Sequence, residues 1–202
     1  MKKLIAGVVL GVGLTAMAHG AGDPEAGEAN AAVCASCHGE AGAKPIMGTY
    51  PKLTGLGEKY LYRQLVAVKT GERQIVEMTG ILDNLSDDDL QDLAAYYNEQ
   101  DMTVQQADPD LVDAGQALYR GGNMASGVPA CSGCHSPQGK GNEPAGYPRL
   151  GGQNAEYIQK QLQAYRDGER AGTQNASIMM DVAAKLTDSE IEAVSNYLSG
   201  LN

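Results

Sequence analysis

Every cysteine in this chain sits in one of two copies of a single pattern, Cys-x-x-Cys-His. The copies are Cys34, Cys37 and His38 in "VCASCHGE", and Cys131, Cys134 and His135 in "ACSGCHSP". They head a longer repeat. A shift of 97 residues also carries "YPKLTG" (Tyr50 to Gly55) onto "YPRLGG" (Tyr147 to Gly152). The same shift carries Tyr60, Gln64 and Leu65 onto Tyr157, Gln161 and Leu162, and "GER" at Gly71 onto "GER" at Gly168. After four inserted residues the shift becomes 101, so that Met78, Leu85, Asp87 and Tyr96 fall on Met179, Leu186, Asp188 and Tyr197. Two tandem units of one fold follow. Their join lies in the polar stretch 99–110, which ends in Asp108-Pro109. The division this predicts is 21–104 and 105–202, behind a segment 1–20 of different character.

Each unit reads as helical. Ser86 with Asp89, and Thr187 with Glu190, are capping-box pairs that open a terminal helix in each unit. Leu90, Leu93 and Tyr97 lie on one helical face, as do Ile191, Val194 and Leu198. An earlier helix carries Leu61, Leu65 and Val68, matched by Ile158, Leu162 and Tyr165. Ala26-Gly27 and Ala114-Gly115 supply small residues where another helix crosses closely. No alternating strand pattern is present, so the predicted class is all-α.

The cores of such units present a difficulty. Units of roughly 80 residues sit near the size at which one apolar core stops sufficing, and the chain contains no Trp and no Phe. A covalently held, flat, apolar ring would fill the gap. Three chemistries compete for Cys-x-x-Cys-His. A thioredoxin-like redox pair belongs in a βαβ context and needs no following His. Structural zinc pairs two such motifs within about 15–20 residues, whereas these lie 97 apart. A c-type haem employs all three residues: two thioether bonds hold the ring, and the His reaches the iron from one face. The motif therefore predicts two covalently bound haem c groups, with His38 and His135 as axial ligands.

For the opposite face of each iron the repeat offers Met78 and Met179. A thioether ligand there favours reduced iron. Core packing is the commoner fate of a Met, and Met180 competes with its neighbour Met179. The remaining histidine, His19, lies in the opening segment, so no spare imidazole exists for a second His ligand.

That opening segment has Lys2 and Lys3, an apolar run from Leu4 to Ala18, and an Ala16-x-Ala18 pattern. It reads as a cleaved export signal, since about 15 apolar residues fall short of the roughly 20 needed to span a membrane. Outside the cytoplasm thiols become disulfides unless something else claims them. The chain carries a formal charge of −10, which excludes nucleic acid as a partner. The acidity is uneven: residues 22–105 hold 14 acidic and 6 basic side chains, and residues 106–202 hold 11 and 7.

These residues together resemble the di-haem cytochrome c4 family over essentially the whole length after the signal. The resemblance rests on both haem motifs, "YPKL" and "YPRL", "LYRGGNMASGVPACSGCHSP", and "MMDVAAKLTDSEIEAVSNYLSG". It implies two packed cytochrome c-like domains that relay electrons in the bacterial periplasm toward a terminal oxidase. The implied partners are a donor such as a cytochrome bc complex and an acceptor such as a haem-copper oxidase. A loose association with the membrane face is also implied by the resemblance. By the same resemblance the carbonyls of Pro51 and Pro148 accept from the ring nitrogens of His38 and His135. Arg73, Arg170, Lys52 and Arg149 are set either against haem propionates or in solvent, and Met47 is read as loop packing. Two rival functions stand beside the carrier: a cytochrome subunit of a dehydrogenase such as a sulfide-oxidising flavoenzyme, and a di-haem peroxidase, which needs one iron able to open.

Overall fold

The computed structural model describes residues 22–173 and 175–202; the predicted export signal lies outside them. Helix α1 (Pro24–Asn30) begins at Asp23, whose carboxylate accepts from the backbone N–H groups of Glu25 and Ala26. Pro24 stands in the first turn, where a missing N–H costs nothing. The single turn α2 (Ala35–His38) carries the first Cys-x-x-Cys-His motif, and α3 (Glu58–Lys69) follows. Helix α4 (Asp87–Glu99) opens on the predicted capping box, Ser86 Oγ accepting from Asp89 N–H while the Asp89 carboxylate accepts from Ser86 N–H. The second unit repeats the series as α5 (Pro109–Gly121), α6 (Ser132–His135), α7 (Ala155–Arg166), α8 (Ala176–Ala183) and α9 (Asp188–Gly200). Thr187 and Glu190 form the second capping box. Among the described residues the only extended pairings are two isolated bridges, Asn123 with Val128 and Asn142 with Tyr147. The fold is all-α.

In each unit the first helix crosses the last, α1 on α4 and α5 on α9. Glycine makes the crossing possible. A Cβ on Gly27 would stand 2.1 Å from Asp92 O, and one on Gly115 would stand 2.1 Å from Ala193 O. The predicted core faces are buried: Leu90, Leu93 and Tyr97 on α4, and Ile191, Val194 and Leu198 on α9. Helices α3 and α7 close the other side, packing on α4 and α9.

The two units are not exact copies. Met78 closes a short 3-10 turn, Val76–Met78, whereas Met179 lies inside the eight-residue helix α8. The four residues inserted between Gly168 and Met179 lengthen that segment enough to wind into a helix.

Candidate cofactor site

The spacing i, i+3, i+4 places two cysteines and a histidine on one face of a helical turn. Both motifs adopt that turn, with His38 N–H donating to Cys34 O at 2.9 Å and His135 N–H to Cys131 O at 3.0 Å. The first cysteine of each pair is half-buried, the second exposed, and all four thiols are free. Burial raises the pKa of Cys34 and pushes that of Cys131 up to about 11. A disulfide-exchanging pair needs the opposite, a thiol with a depressed pKa. Among the described residues no group of three or more His, Cys, Asp or Glu side chains is placed to share a metal ion.

Both imidazoles are buried. His38 Nδ1 lies 2.9 Å from Pro51 O, and His135 Nδ1 lies 2.9 Å from Pro148 O. A carbonyl only accepts, so Nδ1 carries the proton in each ring and the Nε2 lone pair is left free. Burial lowers both histidine pKa values, more than the carbonyl bonds raise them, so both rings stay neutral. A neutral imidazole with a fixed tautomer is what a metal requires. The chain turns sharply after each ring. Gly39 (φ 78°) does so freely, while Ser136 (φ 67°) holds the same left-handed region with its Oγ accepting from Lys140 N–H at 2.9 Å.

In the second unit an apolar cavity opens beside the motif. Cys131, Cys134 and His135 line it together with Ile158, Leu162 and Met179. Met179 therefore shares a cavity with His135, and Met180 is not part of its wall. In the first unit Met78 is half-buried at the end of its turn. Met47 does not pack into its loop; its side chain is 51 % exposed.

The cavity wall is completed from across the junction by Tyr60 and Gln64 of the first unit. Here the basic residues depart from the solvated alternative. Arg73, Arg170 and Lys52 are all buried. Arg73 donates to Gln64 Oε1 (2.7 Å), Gln161 Oε1 (2.8 Å) and Tyr157 Oη (3.0 Å). Arg170 answers with Gln161 Oε1 (2.9 Å), Gln64 Oε1 (3.0 Å) and Tyr60 Oη (2.7 Å). The result is a pseudo-twofold lattice of two Arg, two Gln and two Tyr across the units. Burial alone would push Tyr157 up, but the two guanidinium groups more than offset it and leave it below its ordinary value.

Neither arginine has a carboxylate partner among the described residues, and Arg170 Nε is buried with no acceptor. An orphaned cationic N–H on the wall of an apolar cavity fits a flat apolar ring with acidic substituents. The sequence held a signal for this lattice. Tyr60, Gln64 and Arg73 recur in register at Tyr157, Gln161 and Arg170, a coincidence the haem motifs do not explain.

Comparison with known proteins agrees with the site. A family model described as cytochrome c matches residues 112–202, and one described as cytochrome c oxidase, cbb3-type, subunit III matches residues 22–96. The chain is 52 % identical to cytochrome c4 of Pseudomonas aeruginosa over 202 residues, covering 100 % of both chains. The crystal structure of reduced recombinant cytochrome c4 from Pseudomonas stutzeri superposes with a TM-score of 0.87 at 48 % identity, covering 90 % of this chain and 100 % of that one. A thiosulfate dehydrogenase electron acceptor of Thiomonas intermedia is 36 % identical over 84 % of this chain and 78 % of its own.

Proposed function

Because the chain belongs to the cytochrome c4 family, we propose that it relays electrons between respiratory partners in the periplasm, toward a terminal oxidase. It is a di-haem c-type electron-transfer cytochrome with two covalently bound haem c groups, which supply one-electron exchange at iron. In this reading Cys34, Cys37, Cys131 and Cys134 hold the rings. His38 and His135 would each ligate one iron through the free Nε2, and Met78 and Met179 would supply the thioether ligands. Arg73 and Arg170 meet the propionates and supply the cations that those acids need at the junction. The periplasmic assignment draws on the export-signal pattern of residues 1–20. The donor in this reading is of the cytochrome bc type and the acceptor a haem-copper oxidase.

The observation that carries the reading is the pair of neutral, buried imidazoles, each with Nδ1 donating to a proline carbonyl at 2.9 Å. A thioether from Met78 and from Met179 would leave neither iron an open position, which suits a carrier and disfavours a peroxidase. Carbon monoxide tests this directly. The reduced, folded protein is expected to bind none on the time scale of mixing; rapid stoichiometric binding at one haem would assign it an open iron and overturn the closed-carrier reading.

A second reading is favoured by the likeness to the Thiomonas intermedia electron acceptor. There the donor is a dehydrogenase, which the cytochrome relieves of electrons. Isolation from the native source separates the two: a stoichiometric dehydrogenase partner identifies the second.

A further inference from the structure

The backbone that accepts the His38 ring proton is held in place by the other unit. Pro51 O, the acceptor, lies between Tyr50 and Lys52. Asn154 Nδ2 donates to Tyr50 O at 2.8 Å. Gln153 clasps Lys52 on both sides of its backbone, Nε2 donating to Lys52 O at 2.8 Å and Oε1 accepting from Lys52 N–H at 2.8 Å. Gln153 and Asn154 are themselves nearly sealed, at 3 % and 4 % exposure. They are braced in turn: Gln153 Oε1 also accepts from Asn154 N–H, and Asn154 Oδ1 accepts from Gln105 Nε2, both at 2.9 Å.

The grip is not returned. In the second unit Tyr147 O accepts from Asn142 N–H of its own unit at 2.9 Å. The contact related by the repeat is one backbone bond, Arg149 N–H to Leu56 O at 3.3 Å. Under the shift of 97, Gln153 and Asn154 correspond to Leu56 and Gly57, which have no side-chain amide to offer. One strap is therefore fixed by side chains from outside its unit, the other mainly from within.

We infer that Gln153 and Asn154 are positioning residues for the first haem, setting the strength of the His38 Nδ1–H to Pro51 O bond from the second unit. This rests on the proposed role of His38 as an iron ligand. An imidazole whose N–H is firmly accepted is a more basic ligand, and a more basic ligand stabilises oxidised iron. Docking of the second unit thus holds the first haem's potential down, while the first unit has no such hold on the second haem.

Gln153→Leu tests this in the intact holoprotein, because it keeps the volume and copies the residue found at the related place. Two readouts are combined: a stepwise redox titration, and NMR exchange rates of the two histidine Nδ1 protons in the reduced state. The expected result is faster exchange at His38, unchanged exchange at His135, and an upward shift of the first haem's potential alone. Lys59→Ala, which removes the outlying bond from Lys59 Nζ to Pro144 O (3.0 Å), is expected to move neither. Equal shifts at both haems, or none at either, would overturn the inference. If Gln153→Leu does not accumulate with both haems, Asn154→Gly frees Tyr50 O and Gln105 Nε2 while leaving the Gln153 clasp on Lys52 in place, and is judged by the same two measurements. An unsubstituted protein lacking two His/Met-ligated haems would instead count against the proposed function.

Discussion

At the scale of single residues, ligand identity is decided by which way a side chain faces, and that is where adjacent Met179 and Met180 part. Both are half-buried on α8, yet only Met179 lines the cavity that contains His135. Met179→Ala is expected to lower the second haem's potential and open its sixth position to carbon monoxide while leaving the ring attached. Met180→Ala should leave both properties unchanged. The reverse pattern in a spectroelectrochemical titration would reassign the ligand. The repeat register alone indicated Met179, because a shift of 101 carries Met78 onto it. What no register predicts is a side chain's partner in another unit. Arg73 and Arg170 occur in identical "GER" triplets, and nothing local distinguishes a solvated guanidinium from one that crosses a junction.

Secondary-structure elements were legible wherever their determinants are local. Both capping boxes formed at the residues that spell them, and the apolar faces of α4 and α9 are the buried ones. The Met segments were less legible, since four inserted residues turn a 3-10 turn into a helix and no cap marks the change. The helix crossings sit between these cases: Ala-Gly pairs suggested close approach, and the partner helix came only with the structure. Gly27→Ala puts a Cβ 2.1 Å from Asp92 O, and backbone cannot yield as a flexible side chain would. The expected cost is about 1–3 kcal/mol, the usual range for overpacking. Gly121, at the end of α5, would meet nothing within 4 Å of an added Cβ. Gly121→Ala should therefore be neutral or stabilising by up to about 1 kcal/mol. Chemical denaturation of the two holoproteins checks the pair; equal effects would show that the crossing is not the tight contact.

For the whole molecule, the uneven charge acts on encounter more than on potential. Exposed carboxylates are screened over roughly 8–10 Å at moderate salt, so they bias an iron weakly, yet their summed field steers a charged partner from a distance. Residues 22–105 hold 14 acidic and 6 basic side chains against 11 and 7 in residues 106–202. The first unit also exposes Val33 and Ile46 beside its haem motif, and Val76 and Ile81 on either side of Met78. Glu77, Asp83 and Asp88 are exposed close by in sequence. Exposed apolar side chains on an acidic unit suit a basic electron donor, so electrons should enter at the first haem and leave through the second. Charge reversal needs care here, because Asp89 closes the α4 capping box and Asp87 accepts from Tyr62 Oη at 2.7 Å. Substituting Glu77, Asp83 and Asp88 by Lys spares both contacts. The triple variant should be reduced by a basic donor roughly tenfold more slowly at low ionic strength. Its rate should also flatten with added salt, while reduction by a small neutral reagent is unchanged. Identical salt dependence in the parent and variant proteins would place the entry face elsewhere on the molecule.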